Sequence, residues 1–188
     1  MPRIKASSVV EHRAQQEEAI LNATFDLLHE LGAPPTLAQV AGRAGMARTS
    51  IYQYFKSPTE LLQAAAREVY PRWFARVSGA VDEAATPTEA VLAYATTCID
   101  LVAEGGHAVG TALASITPDP DLDEQAEQMH ASARQPLVDA LQRLGITEPE
   151  PIADLVTAVI HAAGQMVEQG IERQKVHSHL RTMLGHLG

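Results

Sequence analysis

The chain of 188 residues holds one cysteine, Cys98. An intrachain disulfide and a cysteine-built zinc site are thereby excluded. Aromatic residues make up only 4% while hydrophobic residues reach 46%, so the core must come from Ala, Leu, Val, Ile and Met. That palette favours helices over strands. No window holds a long uninterrupted apolar run, so no transmembrane helix is expected. The start, Met1-Pro2-Arg3-Ile4-Lys5, leads into polar residues rather than an apolar signal core, and a cytoplasmic protein is expected. A basic excess is lacking too: 14 Lys/Arg stand against 23 Asp/Glu, for a net charge of −9. Taken whole, that balance speaks against nucleic acid as a partner.

The acid is not evenly spread. Residues 1–60 carry six basic and six acidic side chains, and residues 61–188 carry eight and seventeen. Between Glu30 and Glu60 no acid occurs, while Arg43, Arg48 and Lys56 do. Salt screens charges over roughly 10 Å, so a local cationic patch can act despite a distant acidic body.

Periodicity of about 3.6 dominates the chain. Ile20, Thr24, Leu27, Leu28 and Leu31 fall on one face of a first helix from about Gln15. Gly32 ends it, and Pro34 and Pro35 bar its continuation. Thr36 is a good N-cap for a second helix, Leu37 to Arg43. Gly45 breaks the pattern, and a third helix is expected from Arg48 to Phe55. Ser57, Pro58 and Glu60 open a fourth, running to about Val77, which Pro71 should kink or split. Thr86-Pro87-Thr88-Glu89 opens another, to about Glu104. Further helices are expected over 107–116, 121–144 (disturbed at Pro136), 152–167 and 176–187, with a loop at 117–120. No segment reads as a strand. The expected fold is all-α, with an N-terminal three-helix domain over 1–56 (1–12 disordered) and a larger helical domain over 57–188.

The stretch from Leu37 to Phe55 has the spacing of a helix-turn-helix. Small Ala41 lets two helices approach. Gly45 can take the left-handed conformation of the turn. Val40, Ala44, Met46 and Ile51 supply the apolar wedge. The remaining face of the third helix, Arg48, Thr49, Ser50 and Gln53, is hydrogen-bonding and acid-free. Arg suits guanine O6 and N7, Gln suits adenine N6 and N7, and the short Thr49 and Ser50 permit close approach. Tyr52, Tyr54 and Lys56 are placed to hold phosphates, as are the free N–H groups at Thr36 and Leu37.

From Gln15 to Leu62 this pattern resembles the DNA-binding domain of the tetracycline-repressor-like (TetR/AcrR) regulators. The matching residues are Leu31-Gly32, Thr36-Leu37 with Val40-Ala41, Ala44-Gly45-Met46, Ile51-Tyr52 with Tyr54-Phe55, and Ser57 through Leu61-Leu62. The resemblance implies a homodimer, a ligand cavity within the C-terminal helices, and a palindromic operator released when a small molecule binds. It places Arg48, Thr49, Ser50 and Gln53 on bases, and Tyr52 and Tyr54 on phosphates, with Thr36 at the second helix's start. Two departures stand out. Ala47 replaces a capping Ser or Thr, and Pro58 replaces a phosphate-binding Lys, a role left to Lys56.

In the larger domain, the last two helices (about 152–187) are expected to pair with their symmetry mates. Ala162, Ala163 and Gly164 permit close helix contact there. The fourth helix is the natural lever between effector and reading head. Trp73, Tyr94, Cys98, Met129 and Met166 are candidate wall residues for a largely apolar effector. The eight histidines lack metal-ligand spacing; His177 and His179 face different directions on a helix. No nucleophile elbow or paired catalytic carboxylate occurs, so neither an enzyme nor a cofactor is expected. A rival reading is a protein–protein adaptor with a merely structural helix-turn-helix, and a gel shift separates the two.

Overall fold

The computed structural model describes residues 6–105, 109, 112, 113, 115 and 120–187, with side chains omitted for 6–10 and 120–131. Its helices are α1 (Ala6–Leu31), α2 (Leu37–Arg43), a 3-10 turn (Ile51–Gln53), α3 (Pro58–Asp82), α4 (Pro87–Ala103), α5 (Pro120–Arg143), α6 (Pro149–Glu168) and α7 (Arg173–Leu184). Among the described residues there is no strand. The all-helical expectation therefore holds. The helix expected over 107–116 and the loop after it lie largely outside the described residues.

These residues form two compact units. One holds residues 6–69 together with 109, 112, 113 and 115; the other holds residues 70–105 and 120–187. The division falls inside α3, beyond the boundary at 56/57 read from the sequence. The reason is local: Leu61 of α3 belongs to the first unit's core, so the helix start cannot be separated from it.

In the first unit, Ile20, Ala23 and Leu27 of α1 pack with Leu37, Val40 and Ala41 of α2, with Ile51 and Phe55, and with Leu61. Burying each large aliphatic side chain contributes about 1.5–3 kcal/mol. Thr24 shares this buried face because its hydroxyl donates to the Ile20 carbonyl at 2.8 Å within the helix. Leu31, expected on the same face, is exposed. It is the helix's last residue, next to the turn made by Gly32 at φ 60°. At its other end α1 begins at Ala6, so residues 6–12 are helical rather than disordered. Neither Gly nor Pro occurs between Ala6 and Leu31 to stop the helix.

In the second unit, α4 packs against α5, α6 and α7. Val91, Ala95 and Ile99 of α4 meet Leu137 and Leu141 of α5, Val156 and Ile160 of α6, and Val176 and Leu180 of α7. Val77 and Val81 of α3 join this core. Thr86 and Glu89 close a reciprocal cap on α4, as expected: Glu89 N–H donates to Thr86 Oγ1 at 3.2 Å and Thr86 N–H to Glu89 Oε2 at 3.1 Å. Bidentate pairing of Arg76 with Glu104 (2.5 and 2.9 Å) ties α3 to the end of α4. Arg173 and His177 of α7 flank Asp100 of α4 at 3.4 and 3.1 Å. The His177 contact is close in distance but lacks hydrogen-bond geometry. His179, two residues on, is exposed.

Neither internal proline divides its helix: α3 runs unbroken through Pro71 and α5 through Pro136. Pro71 and Arg67 are both exposed, so the carbonyl that the proline leaves unpaired can face water.

Candidate nucleic-acid interface

Thr36 caps α2 from an extended backbone. Gln39 N–H donates to Thr36 Oγ1 at 3.3 Å, and Thr36 N–H donates to Gln39 Oε1 at 2.9 Å. The hydroxyl of Thr36 also lies 2.7 Å from Gln39 Oε1, so it is engaged in the cap.

The end of α2 is a Schellman turn. Gly45 sits at φ 69° and donates to the Gly42 carbonyl at 3.3 Å, while Met46 N–H donates to the Ala41 carbonyl at 2.9 Å. Gly45 is needed because an L side chain is strained at that φ. The turn returns Met46 to the core.

The segment that follows is not the α-helix expected over Arg48–Phe55. Residues 48–50 form turns and only Ile51–Gln53 are regular, as a 3-10 helix. Its bonds run mostly from one residue to the third before it: Ser50 to Ala47 at 2.8 Å, Gln53 to Ser50 at 3.1 Å, Tyr54 to Ile51 at 3.0 Å. The sequence explains this. Ala47 offers no side-chain cap, Ser50 makes none, and Thr49 and Ile51 are β-branched.

The segment's sidedness is nevertheless sharp. Ile51 is fully buried and Phe55 nearly so, whereas Arg48, Thr49, Gln53, Lys56 and the half-exposed Tyr52 face water. Ser50 and Tyr54 are half-buried, and Tyr54 packs against the core. Thr36 is exposed at the start of α2. The eight residues singled out from sequence thus lie at the start of α2 and along the turn around Ile51–Gln53, six of them open to solvent. Directly after, Ser57 Oγ accepts from Glu60 N–H at 3.1 Å and Glu60 Oε2 accepts from Lys56 N–H at 2.7 Å, which fixes the start of α3.

The charge pattern differs from the sequence reading at one position. Arg43 is gripped by Glu30 at 2.9 and 2.5 Å, with Asp26 3.9 Å away. The hydrogen-bonded pair lowers the carboxyl pKa of Glu30 and raises that of the guanidinium. Arg43 is therefore neutralised across the helices, by acids thirteen and seventeen residues earlier. Among the described residues, the side chains of Arg48 and Lys56 make no ion pair. A cation that the sequence reading overlooked is Arg13 of α1. Its guanidinium lies 5.4 Å from the centre of the Tyr54 ring, and its Nη2 approaches the Gln53 carbonyl at 3.5 Å.

In the second unit, Tyr94 is buried, and Trp73, Cys98 and Met166 pack partly buried against the same core. Met129 lies within α5, but its side chain is outside the described residues. Gly164 and Ala163 serve the subunit's own packing: a Cβ at Gly164 would meet Val102 of α4 at 3.6 Å, and Ala163 is buried in the core. Of that small-residue trio only Ala162 is exposed. Burial pushes the Cys98 thiol up to about 12, while hydrogen bonding with Tyr94 acts the other way. Burial raises Tyr94 as well. Labelling of native Cys98 by a thiol reagent at pH 8 is accordingly expected to run roughly 1,000-fold slower than in the unfolded chain. Equal rates would place Cys98 in the open. Because the fold resists ionisation of this group, its contribution to stability is complete below the free thiol's pKa of about 8.5 and declines as pH rises past it.

Residues 20–65 match the family of bacterial regulatory proteins named for tetR. No curated protein matches the chain. Among solved structures, a transcriptional regulator from Rhodococcus sp. Rha1 is 22% identical with a TM-score of 0.78, covering 91% of this chain and 95% of its own. FadR from Bacillus subtilis, a transcriptional regulator solved with stearoyl-CoA, is 16% identical with a TM-score of 0.72, covering 89% and 96%. The TetR-like regulator LfrR from Mycobacterium smegmatis, solved with proflavine, is 20% identical with a TM-score of 0.65, covering 94% and 98%. At these identities the likeness concerns the fold.

Proposed function

We propose that this chain, whose residues 20–65 match the tetR family of bacterial regulatory proteins, is a dimeric cytoplasmic repressor that holds a palindromic operator and releases it to a small apolar effector. The observation that carries this reading is the acid-free edge of the recognition turn. Arg48, Thr49, Tyr52, Gln53 and Lys56 face solvent while Ile51 and Phe55 anchor the turn in the core. Arg48 and Gln53 then read base edges with Thr49 and Ser50 beside them, while Tyr52, Tyr54 and Lys56 hold phosphates; at the start of α2 the Thr36 N–H and hydroxyl are taken up by the cap with Gln39, so the phosphate expected there falls to the Leu37 N–H rather than to Thr36.

A dimer is required because two recognition elements must sit about 34–36 Å apart to enter successive major grooves. Its supporting surface is on α6 and α7, where Leu155 and Met183 are exposed at 64% and 60%. The effector reading draws on the similar folds solved with stearoyl-CoA and with proflavine. Trp73, Tyr94, Cys98, Met129 and Met166 are assigned to its site. The effector need only bind the DNA-incompetent state more tightly, by a few kcal/mol. The family is one of regulators, not of enzymes.

Selection from random duplexes tests the reading. It should return an inverted repeat with half-site centres about 10 bp apart, or a multiple of that. Enrichment of no sequence, together with no binding to any duplex at low salt, would remove DNA as the partner. On the selected site Lys56→Ala should weaken binding to specific and unrelated DNA alike and reduce the salt slope by about 1. A slope equal to that of the unaltered protein takes Lys56 off the phosphates.

A further inference from the structure

Arg13 stands forty residues before the recognition turn, on α1, yet its guanidinium lies over the Tyr54 ring at 5.4 Å. That distance is within the roughly 6 Å over which a cation is drawn to an aromatic face. Its Nη2 also reaches toward the main-chain oxygen of Gln53, at 3.5 Å. Among the described residues Arg13 has no carboxylate partner, although Glu17 follows one helical turn later. Other arginines of the chain do have one: Arg43 grips Glu30, Arg76 grips Glu104, and Arg134 pairs with Asp154. Arg13 is thus an exposed and uncompensated cation at the end of the turn that carries Tyr52 and Gln53.

We propose that Arg13 is a DNA-binding residue, its guanidinium held flat by Tyr54 so that its outer N–H edge meets a backbone phosphate beside the recognition turn. The guanidinium is planar, with its five donors in one plane, and a ring on one side restricts how that plane can turn. One of them is turned toward Gln53, and the plane's remaining edge is left for an acceptor. Phosphate, with two exposed oxygens, fits that fork. The assignment also supplies a cation to a face from which Arg43 is withdrawn. It rests on the DNA-binding reading above and deepens it.

The test is a salt titration of duplex binding by the full chain, carried out on the selected operator and on an unrelated duplex. Arg13→Ala should weaken both and lower the salt slope by about 1, since one phosphate neutralisation is lost. Arg13→Lys should keep the slope, because the charge stays. A thermal melt accompanies each variant; an exposed side chain should leave it nearly unmoved. If Arg13→Ala instead weakens only the operator and leaves the slope intact, Arg13 merely positions Tyr54 and Gln53, and the phosphate contact is wrong. An unaltered protein that binds neither duplex overturns the DNA-binding reading and this assignment together. An unaltered protein that binds well, beside an Arg13→Ala variant indistinguishable from it, overturns this assignment alone.

Discussion

A double variant, Leu155→Glu with Met183→Glu, is expected to sediment as a monomer and to lose operator affinity by at least about 100-fold. Leu155 and Met183 are two of four large hydrophobic side chains exposed among the described residues, and they lie on neighbouring packed helices. Leu155 begins a stripe of α6 on which Ala158 and Ala162 follow at helical spacing, all exposed. Opposite them, α6 buries Ala153, Val156 and Ile160 within the subunit. One helix thus has two apolar faces, and only the inner one is covered. Placing two carboxylates at the centre of a symmetric interface brings four charges together in a dry patch, which costs several kcal/mol. The effect on DNA follows from linkage between half-sites. A dimer that has seated one recognition turn seats the second at a millimolar effective concentration, and this raises affinity about 10²- to 10⁴-fold over one half-site. Sedimentation velocity and a binding isotherm on the full palindrome check both parts. A variant that remains dimeric places the interface elsewhere; a monomeric variant that keeps full affinity removes the symmetric-operator account.

The parts of this fold that could be read from sequence are those set by neighbouring residues. Thr36 with Gln39, and Thr86 with Glu89, each fix a helix start within four residues, and the structure has both caps. Gly45 marks its turn because few residues other than glycine tolerate the required φ. What could not be read depends on partners far along the chain. Arg43 looked like part of a cationic run because its neutralising acids belong to another helix. Arg13 stood just outside the expected first helix, and the ring that its side chain meets lies forty-one positions later.

The recognition segment lies between these cases. Its sidedness was legible, because Ile51 and Phe55 are apolar among polar neighbours. Its conformation was not. Periodicity cannot separate an α-helix from a 3-10 turn in a stretch of eight residues, and here it competes with an uncapped start and with β-branched Thr49 and Ile51. In the second unit the core followed from helical periodicity. Which of its members, Trp73, Tyr94, Cys98 or Met166, would touch an effector did not, because a core contact and a pocket wall demand the same side chains.

Arg48→Ala should cost operator binding roughly 1–3 kcal/mol, about 5- to 150-fold, and should flatten the sequence preference at one symmetric pair of positions. Three observations meet at this residue. It is exposed, it precedes the 3-10 turn by three residues, and among the described residues no carboxylate holds it. Its guanidinium is free to form the two parallel bonds that guanine offers through O6 and N7. Lysine supplies the charge without the fork. Arg48→Lys should therefore hold affinity for unrelated duplexes near that of the unaltered protein while losing discrimination at the same positions. Arg43→Gln combined with Glu30→Gln is the matched control: the pair leaves together and the net charge is unchanged, so both affinity and preference should stay put. Repeating the duplex selection with each variant distinguishes the cases. A preference that survives Arg48→Ala, or that Arg48→Lys restores in full, would assign Arg48 to the phosphate backbone. Base reading would then rest on Gln53 and Thr49, the other exposed side chains of the turn assigned to bases.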